Sequence, residues 1–293
     1  MMSLNMNIRL KEDKGVTLIE LLIALVISGV LIAALYRTFI GQQKTYIVQD
    51  QVVDMQQNVR VAINKMMREI RMAGFGNFSN LLPLDAHNDP SNKFNNIINP
   101  SDNKNNVGQN DDQITIVGAF EQVSTLAAAA ATGTNSILLN GNGSEFDTGY
   151  KKYICIGGLE THTVSNVTGN TITFNGNLIN NYSVGAPVFK VKAITYRLRW
   201  DNDIPTMPVL AREDNTDGGG KSWALAENIE NLQFTYLGSN GVETAIPGDI
   251  RMVRLTVIAR TSMSDPDFKG GVGGFRRRTI ASNIQIRNMG VNP

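Results

Sequence analysis

Lys14-Gly15-Val16-Thr17-Leu18-Ile19-Glu20 runs directly into Leu21-Leu22-Ile23-Ala24-Leu25-Val26-Ile27-Ser28-Gly29-Val30-Leu31-Ile32-Ala33-Ala34-Leu35-Tyr36. A charged leader meets a membrane-length apolar run at a glycine, and a carboxylate lies inside that run. Val16 to Tyr36 is about 21 residues, so as a helix it spans roughly 30 Å, the thickness of a bilayer's hydrocarbon core. A secretory signal peptide would have a shorter apolar stretch, about 7 to 15 residues, and then a small-residue cleavage site. Here Tyr36, Arg37, Thr38 and Phe39 follow Leu35 instead. A plain single-pass anchor fits the length, and Arg9, Lys11 and Lys14 would hold its N-terminus in the cytoplasm. It leaves Glu20 unexplained. An ionised carboxylate costs up to about 3 kcal/mol at the bilayer centre, so it marks a function with a specific partner. A cut after Gly15 would place the new Val16 amine one helical turn from that carboxylate. In a packed array, the amine of one subunit could meet Glu20 of the next and neutralise both charges.

The Lys-Gly-Val-Thr-Leu-Ile-Glu stretch and its apolar continuation resemble the class III signal of type IV pilins and pseudopilins. The resemblance implies cleavage after Gly15 by a membrane prepilin peptidase, N-methylation of Val16, and Glu20 in filament registry. Val16 stands where the family usually has phenylalanine. The implied partners are the prepilin peptidase/N-methyltransferase, other major and minor pilins, and the inner-membrane assembly platform.

At 293 residues and 42% hydrophobic content, the chain can bury a sizeable core outside the membrane. A net charge of +1 argues against bulk nucleic acid as a partner. With Cys155 as its one cysteine the chain can form no intrachain disulfide, although many pilins staple a C-terminal loop that way; this one must hold its end by packing. Cys155, inside Tyr153-Ile154-Cys155-Ile156, reads as a buried strand residue.

The helix is expected to continue beyond the membrane segment, because Gln42 to Arg71 contains neither glycine nor proline. Val48, Val52, Met55, Val59, Ala62, Ile63, Met66, Ile70 and Ala73 recur in steps of three and four, one stripe that should face a globular head. Gly74 supplies a C-cap, with Arg68 and Arg71 in the last turn. Asn77 to Asp112 is crowded with Asn, Asp, Ser and Gly and broken by Pro83, Pro90 and Pro100, which predicts a long loop. Ala127 to Ala131 reads as a short helical turn or a flexible connection. Short strands are expected at Gln113–Val117, Ile137–Asn140, Lys152–Ile156, and at Thr161–Ser165 with Thr171–Phe174 around a Gly169-Asn170 turn.

Four later segments alternate with period two. Their inward sets are Ile194, Tyr196, Leu198 and Trp200; Leu232, Phe234 and Tyr236; Val253, Leu255, Val257 and Ala259; and Ile280, Ile284 and Ile286. Thr195, Arg197, Arg199, Arg254, Thr256, Arg260 and Arg287 occupy the opposite faces, so half-buried antiparallel strands packed on the helix stripe are expected. Leu225 to Tyr236, Asp249 to Val257, and the helix end Met67 to Gly76 resemble PilW-like minor pilins and J-type pseudopilins, the helix end being closer to the PilW-like group.

Other constellations carry less. Glu213, Asn215, Asp217 and Gly218 approximate the start of a calcium loop, but Ala224 stands where the bidentate Glu is needed. Asp201-Asn202-Asp203 before Pro205 reads as a turn. His87 and His162 have no spacing partner for zinc. Arg276-Arg277-Arg278 could contact phosphates, yet only Phe275 offers an adjacent aromatic platform. No catalytic arrangement and no cofactor motif is present, so the chain is read as a non-enzyme.

The expected fold class is α+β. The expected parts are a leader at 1–15, a long helix at 16–74 with 16–36 transmembrane, an Asn-rich loop and β-rich insertion at 75–190, and an antiparallel pilin-like head at 191–293. The expected protein is a structural minor pilin, single-pass in the inner membrane with a cytoplasmic N-terminus and then in a surface pilus, acting in assembly, priming or tip formation. The alternatives are a type II secretion J-type pseudopilin, and a tip adhesin or DNA-uptake pilin.

Overall fold

A computed structural model describes residues 15–78, 81–86, 89–102, 111–141, 143–149, 152–216, 221–265 and 267–289. The class is α+β, one long N-terminal helix with antiparallel sheets. The helix, α1, is Leu18–Met72. The chain divides into two compact units, Met1–Asp50 and Gln51–Pro293.

From Leu18 to Tyr36 the helix is apolar on every side, and among the described residues nothing covers its side chains: Leu18 is 81% and Leu25 73% exposed. A helix hydrophobic all round belongs in lipid or in a protein interior. Its length and composition suffice to cross a membrane.

The second unit begins with the amphipathic part of α1. Met55, Val59, Ala62, Ile63, Met66, Ile70 and Ala73 are buried and Val52 packs beside them, so the predicted stripe faces the head. The helix ends where Gly74 takes φ +80°, a left-handed conformation that favours glycine; an added Cβ there would meet Ile97 and the Asn288 carbonyl at 3.2 to 3.3 Å.

Among the described residues fourteen strands follow: β1 Leu84–Ala86, β2 Asp89–Phe94, β3 Ile98–Ser101, β4 Gln113–Thr125, β5 Ser136–Leu138, β6 Tyr153–Ile156, β7 Glu160–Thr168, β8 Thr171–Phe174, β9 Pro187–Trp200, β10 Pro208–Asp214, β11 Lys221–Glu227, β12 Ile229–Leu237, β13 Met252–Arg260 and β14 Arg277–Gln285. β9 organises the large sheet. Along one edge it pairs with β4; along the other, β6 and then β10 take successive stretches. β3 flanks β4, β11 flanks β10, and β7, β8 and β5 extend outward from β6. A separate sheet runs β12-β13-β14. Ile114, Ile116, Ile194, Tyr196 and Leu198 of the large sheet and Leu232, Phe234, Val253, Leu255 and Ile284 of the small one join the α1 stripe in one core. Each such fully buried side chain contributes about 1.5–3 kcal/mol.

Several expectations are corrected. Asn77 to Asp112 is not simply loop, because β1, β2 and β3 lie within it. Pro90 and Pro100 are tolerated there because, among the described residues, β2 pairs only with β1 and β3 only with β4, edge positions where a missing N–H costs little. Phe78, Leu81, Leu84 and Phe94 from this stretch cover the second face of the large sheet, over Val117, Val191 and Ala193. The β9 strand is therefore buried on both faces for much of its length; Thr195, expected outside, is buried and bonds to Thr115 Oγ1 at 2.6 Å. Trp200, expected inside, lies at the strand's end and is 42% exposed. β9 runs across position 190, so strands before it and β10 and β11 after it share one sheet. β10 and β11 were not expected, because Pro208-Val209-Leu210-Ala211 and Trp223-Ala224-Leu225-Ala226 are short apolar runs without alternation. Ala127–Ala131 is not helical: Ala127 and Ala130 donate to the Leu138 and Tyr182 carbonyls.

The chain's end is held by hydrogen bonds as well as packing. Arg287 N–H donates to the Arg71 carbonyl, and Asn288 Nδ2 to those of Met72 and Ala73, at 3.2, 3.3 and 3.3 Å. Asn288 thus caps carbonyls that a helix end leaves unpaired.

One polar group lies inside the helix stripe. Glu69 is buried and accepts from Tyr196 Oη at 2.5 Å and Arg212 Nε at 2.9 Å, with Lys65 Nζ at 2.7 Å. Burial pushes the Glu69 carboxyl up, but the bonds from Arg212, Lys65 and Tyr196 outweigh it and hold the group below its ordinary value of 4.5. The carboxylate's contribution is therefore present above 4.5 and is lost as pH falls through the depressed folded-state value. Glu69→Ala, which strands Arg212 in a largely buried site, is expected to cost about 3–5 kcal/mol in denaturant unfolding of the full chain in micelles. Glu69→Gln should flatten the loss of stability in acid; an acid limb as steep as wild type would remove Glu69 as its source.

Candidate processing and assembly site

The residues that decide the site start with backbone. Gly15, Val16 and Thr17 are exposed and non-helical, immediately before α1. Val16 is 63% exposed, and no atom comes within 4 Å of where a Gly15 Cβ would be. The Gly15–Val16 peptide is thus an exposed, non-helical link, open to a peptidase. The residues before Gly15, including Arg9, Lys11 and Lys14, lie outside the described residues.

Thr17 starts the helix by a local device. Its Oγ1 accepts the Glu20 N–H at 3.3 Å, and its carbonyl accepts from Glu20 and Leu21 at 3.1 and 3.2 Å. Thr17 is the N-cap and Glu20 the third helical residue, the spacing of a capping box, a signal the sequence holds and the reading above did not use. A carboxylate in the first turn also suits the positive end of the helix dipole. Among the described residues no cation pairs with the Glu20 carboxylate.

A family profile for the prokaryotic N-terminal methylation motif matches residues 10–36. No curated protein and no solved structure matches the chain. The motif supports a type IV pilin-like or pseudopilin role, and implies processing by a prepilin peptidase and assembly with other pilins. Together with the long apolar helix it is consistent with membrane anchoring.

The remaining constellations are engaged otherwise. Glu213 pairs with Arg197 at 2.6 Å, and Asn215 Nδ2 donates to the Ala193 carbonyl and Thr195 Oγ1. Ala224 lies in β11, while Asp217 and Gly218 lie outside the described residues, as does His87. Asp201 Oδ1 accepts from the Asp203 and Ile204 N–H groups, which makes the segment a turn. His162 stacks on Phe174 at 4.4 Å, with Glu160 Oε2 3.5 Å from its Nε2. Among the described residues no three His, Cys, Asp or Glu side chains are grouped to hold a metal. Cys155 is free and buried in β6, its thiol pushed up to about 12 by burial, so it is an inert core residue as expected.

The arginine run is largely neutralised. Arg276 pairs with Asp265 at 2.9 Å and stacks on Phe268; Arg277 pairs with Glu230 at 2.5 Å. Arg260 stacks on Phe275, the platform the sequence offered to a nucleic acid, at 4.3 Å.

Thr17→Val keeps the shape of the side chain and removes the capping acceptor. It is expected to weaken the helix start by about 1 kcal/mol. Amide hydrogen exchange at Glu20 and Leu21 in micelles reads this directly; unchanged rates would mean that Thr17 Oγ1 does not cap the helix.

Proposed function

We propose that this chain is a structural minor pilin of a type IV pilus, cut after Gly15, methylated at Val16, and acting in pilus assembly, priming or tip formation. The observation that carries the reading is the coincidence of the methylation motif at 10–36 with an exposed, non-helical Gly15–Val16 link placed directly before a capped apolar helix. Residues 1–15 form the leader. The helix from Val16 anchors the subunit as a single pass in the inner membrane, with the leader in the cytoplasm, until assembly transfers it into the filament.

Mechanistically, cleavage creates an amine at Val16, and Glu20 supplies the opposite charge. A neighbour's Val16 amine pairing with Glu20 removes two charges from lipid at once, so the pairing favours one axial offset between packed helices. The role asks no catalysis of the head. Its partners are the peptidase that also methylates, the other pilins and the assembly platform.

Mass spectrometry of the N-terminal peptide from sheared surface fibres and from membranes tests this. A peptide beginning at methylated Val16 in the fibres supports the pilus subunit. The same peptide confined to membranes would favour the pseudopilin of a secretion system, and an intact leader in both would end the pilin reading. Gly15→Leu should leave a full-length precursor in the membrane. Glu20→Ala should insert and be cut normally yet enter filaments poorly; normal incorporation would sink the charge-pairing role.

A further inference from the structure

The small sheet has one open edge, and a built groove lies beside it. On the β12 side, the backbone is already occupied: Asp112 N–H donates to the Leu232 carbonyl at 2.8 Å, and Asp112 Oδ2 accepts the Phe234 N–H at 2.9 Å. On the other side, β14 pairs only with β13 among the described residues. Which of its backbone groups are unused follows from the register. Ile286 N–H donates to the Arg251 carbonyl and Thr261 N–H to that of Arg276, extending the β13–β14 pairing at both ends. In an antiparallel ladder such mutually bonded pairs recur at every second residue. Arg278, Ile280, Ser282 and Ile284 therefore turn their N–H and C=O groups to β13, and Thr279, Ala281 and Asn283 turn theirs outward.

Between this edge and α1 lies a groove of about 550 Å³. Ile63 and Met67 of α1 and Ile280 of β14 line it together with the polar Gln56, Asn64 and Ser282, and so do Arg60 and Arg278. No carboxylate lines it, and among the described residues neither arginine has an acidic partner. Arg278 differs in this from Arg276 and Arg277, which are both paired.

We propose that this edge receives an extended acidic segment of another polypeptide as a fourth strand of the β12-β13-β14 sheet. Main-chain bonds to Thr279, Ala281 and Asn283 supply the backbone match, apolar side chains enter over Ile63, Met67 and Ile280, and carboxylates meet Arg60 and Arg278. A helix would leave the outward N–H and C=O groups of β14 unused, and a basic segment would face two uncompensated guanidinium groups. The proposal stands on the head alone and is independent of how the N-terminus is processed.

The test uses the full-length chain in micelles and a synthetic peptide of alternating valine and aspartate, about nine residues long, enough for one strand. Binding is expected to slow hydrogen exchange at Thr279, Ala281 and Asn283, and an alternating valine–lysine peptide should not. Arg278→Glu should weaken binding by about tenfold or more. Ala281→Pro removes an outward N–H that the native sheet does not use, so the head should stay folded by near-ultraviolet circular dichroism while binding is lost. Absence of binding, equal binding of the lysine peptide, or binding undiminished by Ala281→Pro in the folded head would each overturn strand addition.

Discussion

A carboxylate in the wrong place for a hydrophobic core fixes how the head is assembled. Glu69 sits among Met66, Ile70 and Ala73 on the buried side of α1, where an unpaired charge would be costly. It is tolerable only because Tyr196 on β9, Arg212 on β10 and Lys65 on its own helix all reach it. Apolar ridges can slide past one another at small cost, but this constellation is satisfied in one register. The helix is thereby keyed to β9, the strand on which β4, β6 and β10 all pair. Losing the key would leave the apolar contacts in place and the alignment less well determined.

The helix changes its chemistry along its length, and each part states its own solvent. From Val16 to Tyr36 apolar residues surround the axis; from Val48 to Ala73 they keep to one side. The first arrangement asks for surroundings that are apolar everywhere, and the second for a core on one side and water on the other. Glu20 is the exception in the first part and Glu69 in the second. Glu69 is compensated inside the chain. Glu20, with no cation beside it among the described residues, has its compensation left to another molecule in the reading adopted here.

What was legible in the sequence was whatever is written in a period. The helix stripe, the Gly74 terminus, the Gly169-Asn170 turn and the alternating strands β9, β12, β13 and β14 all follow from spacing, and the structure has them. What was missed depends on pairing over long distances. β10 and β11 lack alternation because one is buried along most of its length and the other is an edge. The polar stretch after Asn77 folds as strands because its few large side chains, Phe78, Leu84 and Phe94, meet a sheet face made by residues far along the chain. At the candidate site Gly15, Val16 and Glu20 were readable as a motif, whereas the capping by Thr17 was readable and overlooked. Arg277, which looked available to phosphate, finds Glu230 only in three dimensions.

The bonds from Arg287 and Asn288 to Arg71, Met72 and Ala73 also set an order of events. The Met72 and Ala73 carbonyls emerge during synthesis 216 and 215 residues ahead of Asn288. The intervening sheet must therefore form, or at least condense, before the helix terminus can be closed, a contact of very high sequence separation that slows completion of the fold. A chain cut directly after β14 would keep β1 to β14 and still lack this stitch. The arrival of β14 is in this way registered at the point where helix and head join.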